Sequence, residues 1–165
     1  MSARQNASGG LLLLEEQDRS LWDKQGIQTG LEWLAMSAQG DTLSRYHAEA
    51  GIVAEHCLAA SLEDTRWDKI VEYYSILERI APSELHTLNR AVAIAEWHGP
   101  AEGLAVLNGF APPGWLARSY QWSAVRAYLY HRCGNFKAAQ QYPASALNSA
   151  PSGPVKELLE RRLKP

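Results

Sequence analysis

The stretch WDKIVEYYSILERIAP, residues 67–82, decides how the rest of the chain is read. Trp67, Ile70, Val71, Tyr74 and Leu77 recur at i, i+3, i+4, i+7 and beyond, the spacing that lines up one apolar stripe on an α-helix. Pro82 closes the stripe, because its ring cannot follow a preceding helical turn. A strand would need strict alternation, and no alternating pair of runs joined by a turn occurs anywhere in the chain.

Working outward, the same period predicts further helices. One follows Asp18 or Ser20, either of which can act as an N-cap, and runs through Leu21, Trp22, Leu31 and Leu34 to a stop before Gly40 and Asp41. The next covers about Leu43 to Ala59, with Tyr46, Ala50, Val53, Ala54 and Cys57 expected on its buried face. Beyond Pro82 come helices over Ser83 to Trp97, a short one through Leu104 and Leu107, a long one from Trp115 to Cys133, then Phe136 to Asn148 and Pro151 to Leu163. About eight helices and no strand make the fold all-α.

Proline and glycine recur in a pattern of their own. Gly134, Phe136, Ala139, Ala146 and Pro151 stand where a repeat of roughly 34 residues has its turn glycine, packing aromatic, small crossing residues and terminating proline. Trp67, Ile70, Tyr74, Leu77 and Pro82 hold the equivalent places, 69 residues earlier at the proline. The expected architecture is therefore a stack of antiparallel helical hairpins of tetratricopeptide-like type, with a degraded middle copy around Gly99 and a bend at Pro143.

The opening MSARQNASGG is small and polar and predicts a flexible linker or frayed terminus over residues 1–10. The helical repeat domain follows over 11–165, and its first part, 11–23, combines the leucines Leu11 to Leu14 with a capped entry. The leucines form an apolar arm that must dock on something.

Bulk properties restrict function. A net charge of −2 over 165 residues is a poor start for binding phosphates, so no direct nucleic-acid binding is expected. Two cysteines, Cys57 and Cys133, occupy no zinc or redox spacing and point to a reducing, cytoplasmic setting. No run of 18 or more apolar residues suggests a membrane span.

His47, Glu49, Glu55, His56 and Cys57 share one helix, but His47 and His56 are too far apart in register to hold one metal ion. Glu63, Asp64 and Asp68 read as first-turn charges at a helix N-terminus. The chain carries no Gly-x-Ser-x-Gly turn, no phosphate loop and no nucleophile with a base at motif spacing. No catalytic residue, metal or cofactor is expected, and the arginines at 79, 90, 118, 126, 132, 161 and 162 read as solvated helix faces.

LLLEEQDRSLWD, residues 12–23, carries a resemblance, as do DTRWDKIVEYYSILERIAPS at 64–83, LNRAVAIAEWHGPAEGL at 88–104 and, more loosely, LLERRL at 158–163. These runs resemble the C-terminal tetratricopeptide-like domain of extracytoplasmic-function sigma factors of RNA polymerase, with 12–23 matching the segment after the helix-turn-helix. The resemblance implies a parent protein that binds core polymerase and reads promoters through two N-terminal helical domains. Those domains are absent before Gly10, so a separately expressed fragment or split gene product is expected.

On that resemblance, Asp18, Arg19, Trp22 and Asp23 are expected to fix the sigma DNA-binding region against the repeat domain, and core polymerase or a regulatory protein is a further expected partner. From the residues alone, Arg19 and Asp23 could pair at i, i+4 while Trp22 anchors in the helical body. A free-standing repeat adaptor and a small-molecule sensor using some of the six tryptophans are the alternatives. Oligomeric state is open, a homodimer through the ends of the stack included.

Overall fold

The computed structural model describes residues 2–40, 42–151 and 153–163. It contains helices α1 (Lys24–Ser37), α2 (Arg45–Leu58), α3 (Trp67–Ile80), α4 (Glu84–His98), α5 (Pro100–Asn108), α6 (Gly114–Ala117), α7 (Tyr120–Arg132), α8 (Phe136–Ala139), α9 (Pro143–Ser149) and α10 (Pro154–Arg162). Apart from one isolated bridge between Gln5 and Leu11, the described residues form no β-structure. The fold is all-α. Each of the helices α2 to α5 packs on the one before it, and α7 receives α5, α8 and α9, so the chain advances as stacked hairpins.

The stripe that opened the sequence reading does become the inner face of α3. Ile70 and Leu77 are buried, with Trp67, Val71, Tyr73, Tyr74 and Ile76 packed around them against Ala48 and Ile52 of α2 and Ala93 of α4. Burying a side chain of this size contributes ~1.5–3 kcal/mol. On its other side α4 supplies Leu88, Ala91 and Ala95 to a second cluster with Leu104 and Leu107 of α5, Leu116 of α6, and Trp122 and Leu129 of α7.

Helix α4 is thus covered on both flanks, and its alanines explain how. Ala91, Ala93 and Ala95 are almost wholly buried and hold no bulk that would keep neighbouring backbones apart. Opposite them a Cβ on Gly103 of α5 would stand 2.6 Å from the Ala91 carbonyl oxygen and from Ala95 Cβ. Gly99, at φ +104°, is the whole connection between α4 and α5, and Pro100 starts the new helix where its missing N–H is no loss.

Several boundaries differ from expectation. The first helix starts at Lys24 because Asp18 accepts the Ser20 N–H and closes a separate 3-10 turn, after which Trp22 is extended and Asp23 caps α1 through the Gly26 N–H. The expected helix over 115–133 is divided into α6 and α7, since the Ser119 hydroxyl accepts the Trp122 N–H as a fresh N-cap. Over 136–148 a break replaces the expected bend: Pro143 begins α9. Asp41, expected just past the first helix, lies outside the described residues.

Helix α2 turns the opposite face inward. Ala48, Gly51 and Ile52 are buried, whereas Tyr46 and Val53, expected inside, are 68% and 60% exposed. The smaller side wins because the ring of Tyr73 comes so close that a Cβ on Gly51 would lie 2.5 Å from it.

The residues assigned to the repeat pattern are distributed as follows. Ile70, Leu77, Ala139 and Ala146 are buried, Trp67 and Tyr74 half-buried, and Pro82 and Pro151 follow the ends of α3 and α9. Gly134 turns the chain from α7 into α8 at φ +72°. Phe136, expected as a packing aromatic, is 56% exposed and meets only the edge of the His131 ring among aromatic partners, because α8 is a single turn that buries Ala139 instead.

The two kinds of helical glycine should behave oppositely. Gly103→Ala is expected to lower stability by about 1–3 kcal/mol through overpacking, despite alanine's better helix propensity. Gly30→Ala, in α1 with open space around the Cβ position, is expected to raise it by about 0.5–1 kcal/mol. Urea denaturation of both variants checks the pair.

Candidate functional site

Residues 2–10, read from composition as a flexible linker or terminus, make a hydrogen-bonded turn. The Asn6 side chain accepts the N–H groups of Ser8 and Gly10, Gln5 bridges Leu11, the Leu12 N–H donates to the Arg4 carbonyl, and Ala3 is buried. Short polar side chains that satisfy their own backbone supply this order without a core.

The leucines Leu11 to Leu14 are half-buried, and the arm they belong to is tied to the last helix of the chain. Arg161 Nη2 donates to the Leu11 carbonyl at 3.0 Å and to Glu16 Oε2 at 2.8 Å, while Arg162 pairs with Glu15 at 2.5 Å. LLLEE near the start thus meets ERR in LLERRL near the end. Each partly exposed pair contributes ~0.2–1 kcal/mol, so their effect is to hold the arm in register more than to stabilise the fold.

Arg19 sits at the centre of the arm's second attachment. Its Nη1 donates to the carbonyls of His56 at 2.6 Å and Ala59 at 2.7 Å, capping the C-terminal end of α2, where orphan carbonyls and the helix dipole favour a cation. The guanidinium lies 4.8 Å from the centre of the Trp22 ring, and the buried Nη2 meets no acceptor among the described residues.

Of the four expected contact residues, the structure brings Arg19 and Trp22 together and uses Asp18 and Asp23 as N-caps on either side. The Arg19–Asp23 pair expected at i, i+4 does not form, because the two residues belong to different helical segments and Asp23 is committed to the Gly26 N–H. Hydrogen bonds from Ser20 hold the Asp18 carboxyl below its ordinary pKa. Behind Arg19, burial and then the Arg19 charge push the His56 imidazole below its ordinary value, and burial raises the Cys57 thiol. A cleft of about 350 Å³ opens between the arm and the α2–α3 connection, lined among others by Gln17, Arg19, Ser61 and Leu62.

Residues 1–38 match a family of unknown function, DUF6596. A relative, an uncharacterized protein from Rhizobium meliloti (strain 1021), is 39% identical over 106 residues, which are 64% of this chain and 25% of that protein. The matched part of the chain spans about a quarter of the relative's length. No solved structure matches. The region that matches the family ends one residue beyond α1, so it takes in the arm and Arg19, but not the α2 carbonyls that Arg19 caps.

Sequence reading missed a second cluster. Arg126 of α7 donates through Nε to the Tyr142 hydroxyl and through Nη2 to Tyr130 and to Asn108 Oδ1, all at 2.9 Å. Trp122, Arg126 and Tyr130 are spaced i, i+4, i+8, which was legible, whereas Asn108 and Tyr142 arrive from α5 and from the turn before α9. Arginines read as solvated faces are also partly committed: Arg90 pairs with Glu78 of α3, and Arg132 with Glu96 of α4. Among the described residues no three His, Cys, Asp or Glu side chains gather as a metal site, and no helix is long and apolar enough to cross a membrane.

Two consequences of the Arg19 site are measurable. Arg19→Ala leaves two carbonyls at the end of α2 without their charged donor and should cost about 2 kcal/mol in chemical denaturation. His56 should titrate below 6.5 by NMR, and Arg19→Met should move it back up part of the way, burial remaining. Because the folded value is depressed, the unfolded chain binds more protons just below pH 6.5, and this group makes stability fall as pH drops from there toward the folded pKa.

Proposed function

We propose that this chain is the C-terminal regulatory and protein-interaction module of an extracytoplasmic-function sigma factor, serving transcription initiation without touching promoter DNA itself. The observation that supports this reading is the double fastening of Leu11–Asp23. The segment that resembles the post-helix-turn-helix region is held to α10 by Arg161 and Arg162 and to α2 by Arg19. A DNA-binding region joined ahead of such an arm would inherit its orientation from the helical stack.

The surface of the first two helices is suited to that role. Trp33 and Met36 of α1 and Tyr46 and Val53 of α2 are exposed apolar side chains at the same end of the stack. Single exposed apolar residues are ordinary, but several on adjoining helices mark an interaction face. The net charge of −2 agrees with a partner-binding rather than a DNA-binding role.

The test is transcription in vitro with purified core RNA polymerase, using this protein together with whatever its gene encodes upstream. Binding to core and initiation are expected for the wild type, and the Arg19→Ala, Trp22→Ala double variant should lower initiation severalfold while leaving a folded helical stack by circular dichroism. Failure of the wild type to bind core polymerase, or unchanged initiation by the folded variant, overturns the reading.

A further inference from the structure

Six arginines pair with carboxylates: Arg66 with its near neighbour Asp68, Arg45 with Glu49 one turn on, and Arg90, Arg132, Arg161 and Arg162 with carboxylates from other elements. Arg126 is held at least as firmly, yet by neutral groups only. Three hydrogen bonds of 2.9 Å fix its Nε and Nη2, and three rings surround it, with the Trp122, Tyr130 and Tyr142 centroids 5.5, 5.4 and 5.5 Å from Cζ. Tyr130 and Tyr142 are themselves stacked, 5.8 Å apart and 13° from parallel. Among the described residues no carboxylate pairs with Arg126 and no acceptor meets its Nη1.

The hydrogen-bond roles then follow by elimination. An arginine can only donate, so the Tyr130 and Tyr142 hydroxyls and Asn108 Oδ1 accept from it. Both tyrosine hydroxyl protons and the Asn108 amide N–H groups are left to donate elsewhere, alongside Nη1. The cluster offers donors and a positive charge, already immobilised, and lacks its anion. With the guanidinium already immobilised, its free Nη1 can meet an oxyanion with little further ordering cost.

The geometry points to a carboxylate-binding site here, for an acidic side chain of a partner peptide. One cation among neutral donors matches a monoanion, whereas a phosphate dianion normally calls for more positive charge. The aromatic walls favour a ligand with apolar atoms next to its charge. Those walls are the rings of Trp122, Tyr130 and Tyr142, with Phe110 packed 6.2 Å from Trp122. This assignment is independent of any role in transcription.

The experiment titrates the whole chain with acetyl-leucyl-glutamate amide, with its glutamine counterpart, and with inorganic phosphate, following the Arg126 Nε–H and Trp122 indole N–H resonances by NMR. The acidic dipeptide should give saturable shifts with a dissociation constant of about 1 mM, as expected for one charged contact. The glutamine dipeptide should bind at least tenfold more weakly, and Arg126→Gln should abolish the shifts at Trp122.

Because Arg126→Gln also unties three elements, a Tyr130→Phe, Tyr142→Phe variant is measured beside it, which keeps the rings and the guanidinium and removes the hydroxyl donors. Weakening of the acidic dipeptide by about tenfold in that variant supports the assignment. Equal binding of the acidic and amide dipeptides, no saturable shift, or wild-type binding by the double tyrosine variant overturns it. Tighter binding of inorganic phosphate than of the acidic dipeptide overturns it in favour of a phosphate ligand.

Discussion

Everything else in this protein is arranged around the close approach of α3 and α5 to the two flanks of α4. A helix in the middle of a stack must present apolar surface on two sides, yet side chains of full size on both would push its neighbours apart. Ala91, Ala93 and Ala95 resolve this by holding backbone near backbone, with Gly103 received on one side and the α3 stripe of Ile70 and Leu77 on the other. Leu88, Leu104 and Leu107 supply the bulk of the cluster on the α5 side. The same logic recurs at Gly51 beneath the Tyr73 ring, where a small residue lets the neighbouring helix come close.

Once the stack is set, its two ends become near enough, in effect, to share one strap. The N-terminal arm has too little apolar surface to fold by itself, and it is ordered by donating or accepting hydrogen bonds at places the stack leaves unsatisfied. Arg19 finishes α2, and Glu15, Glu16 and the Leu11 carbonyl meet the arginines of α10. None of these contacts is a large energy alone. Together they specify where the segment before α1 lies, which is the property a joint between domains needs.

The arginines divide into two physical kinds. Those facing carboxylates across elements, such as Arg90 with Glu78 and Arg132 with Glu96, close their own electrostatic account inside the fold. Arg19 and Arg126 do not. The first faces a helix C-terminus, whose dipole offers only partial negative charge, and the second faces hydroxyls and an amide. Positive charge held rigidly against neutral partners is where this otherwise slightly acidic surface retains attraction for an anion.

The all-α class, α3 and α4 nearly to the residue, and the stops at Pro82, Gly99 and Gly134 were legible in the sequence, because helical period and the conformational limits of proline and glycine act over a few neighbouring residues. What escaped were choices between local signals of similar strength. Asp18 and Asp23 are both good N-caps, and only the carbonyls of His56 and Ala59, some forty residues away, draw Arg19 into a turn that makes Asp23 the start of α1. Helix α2 carries apolar residues on more than one face, and Tyr73 selects the small one. Arg126 is visible as one of three i, i+4 residues on α7, but Asn108 and Tyr142 reach it from other segments. Tertiary structure decided those matters because each depends on which groups remain unsatisfied once the helices have packed, and that is a property of the stack rather than of any stretch within it.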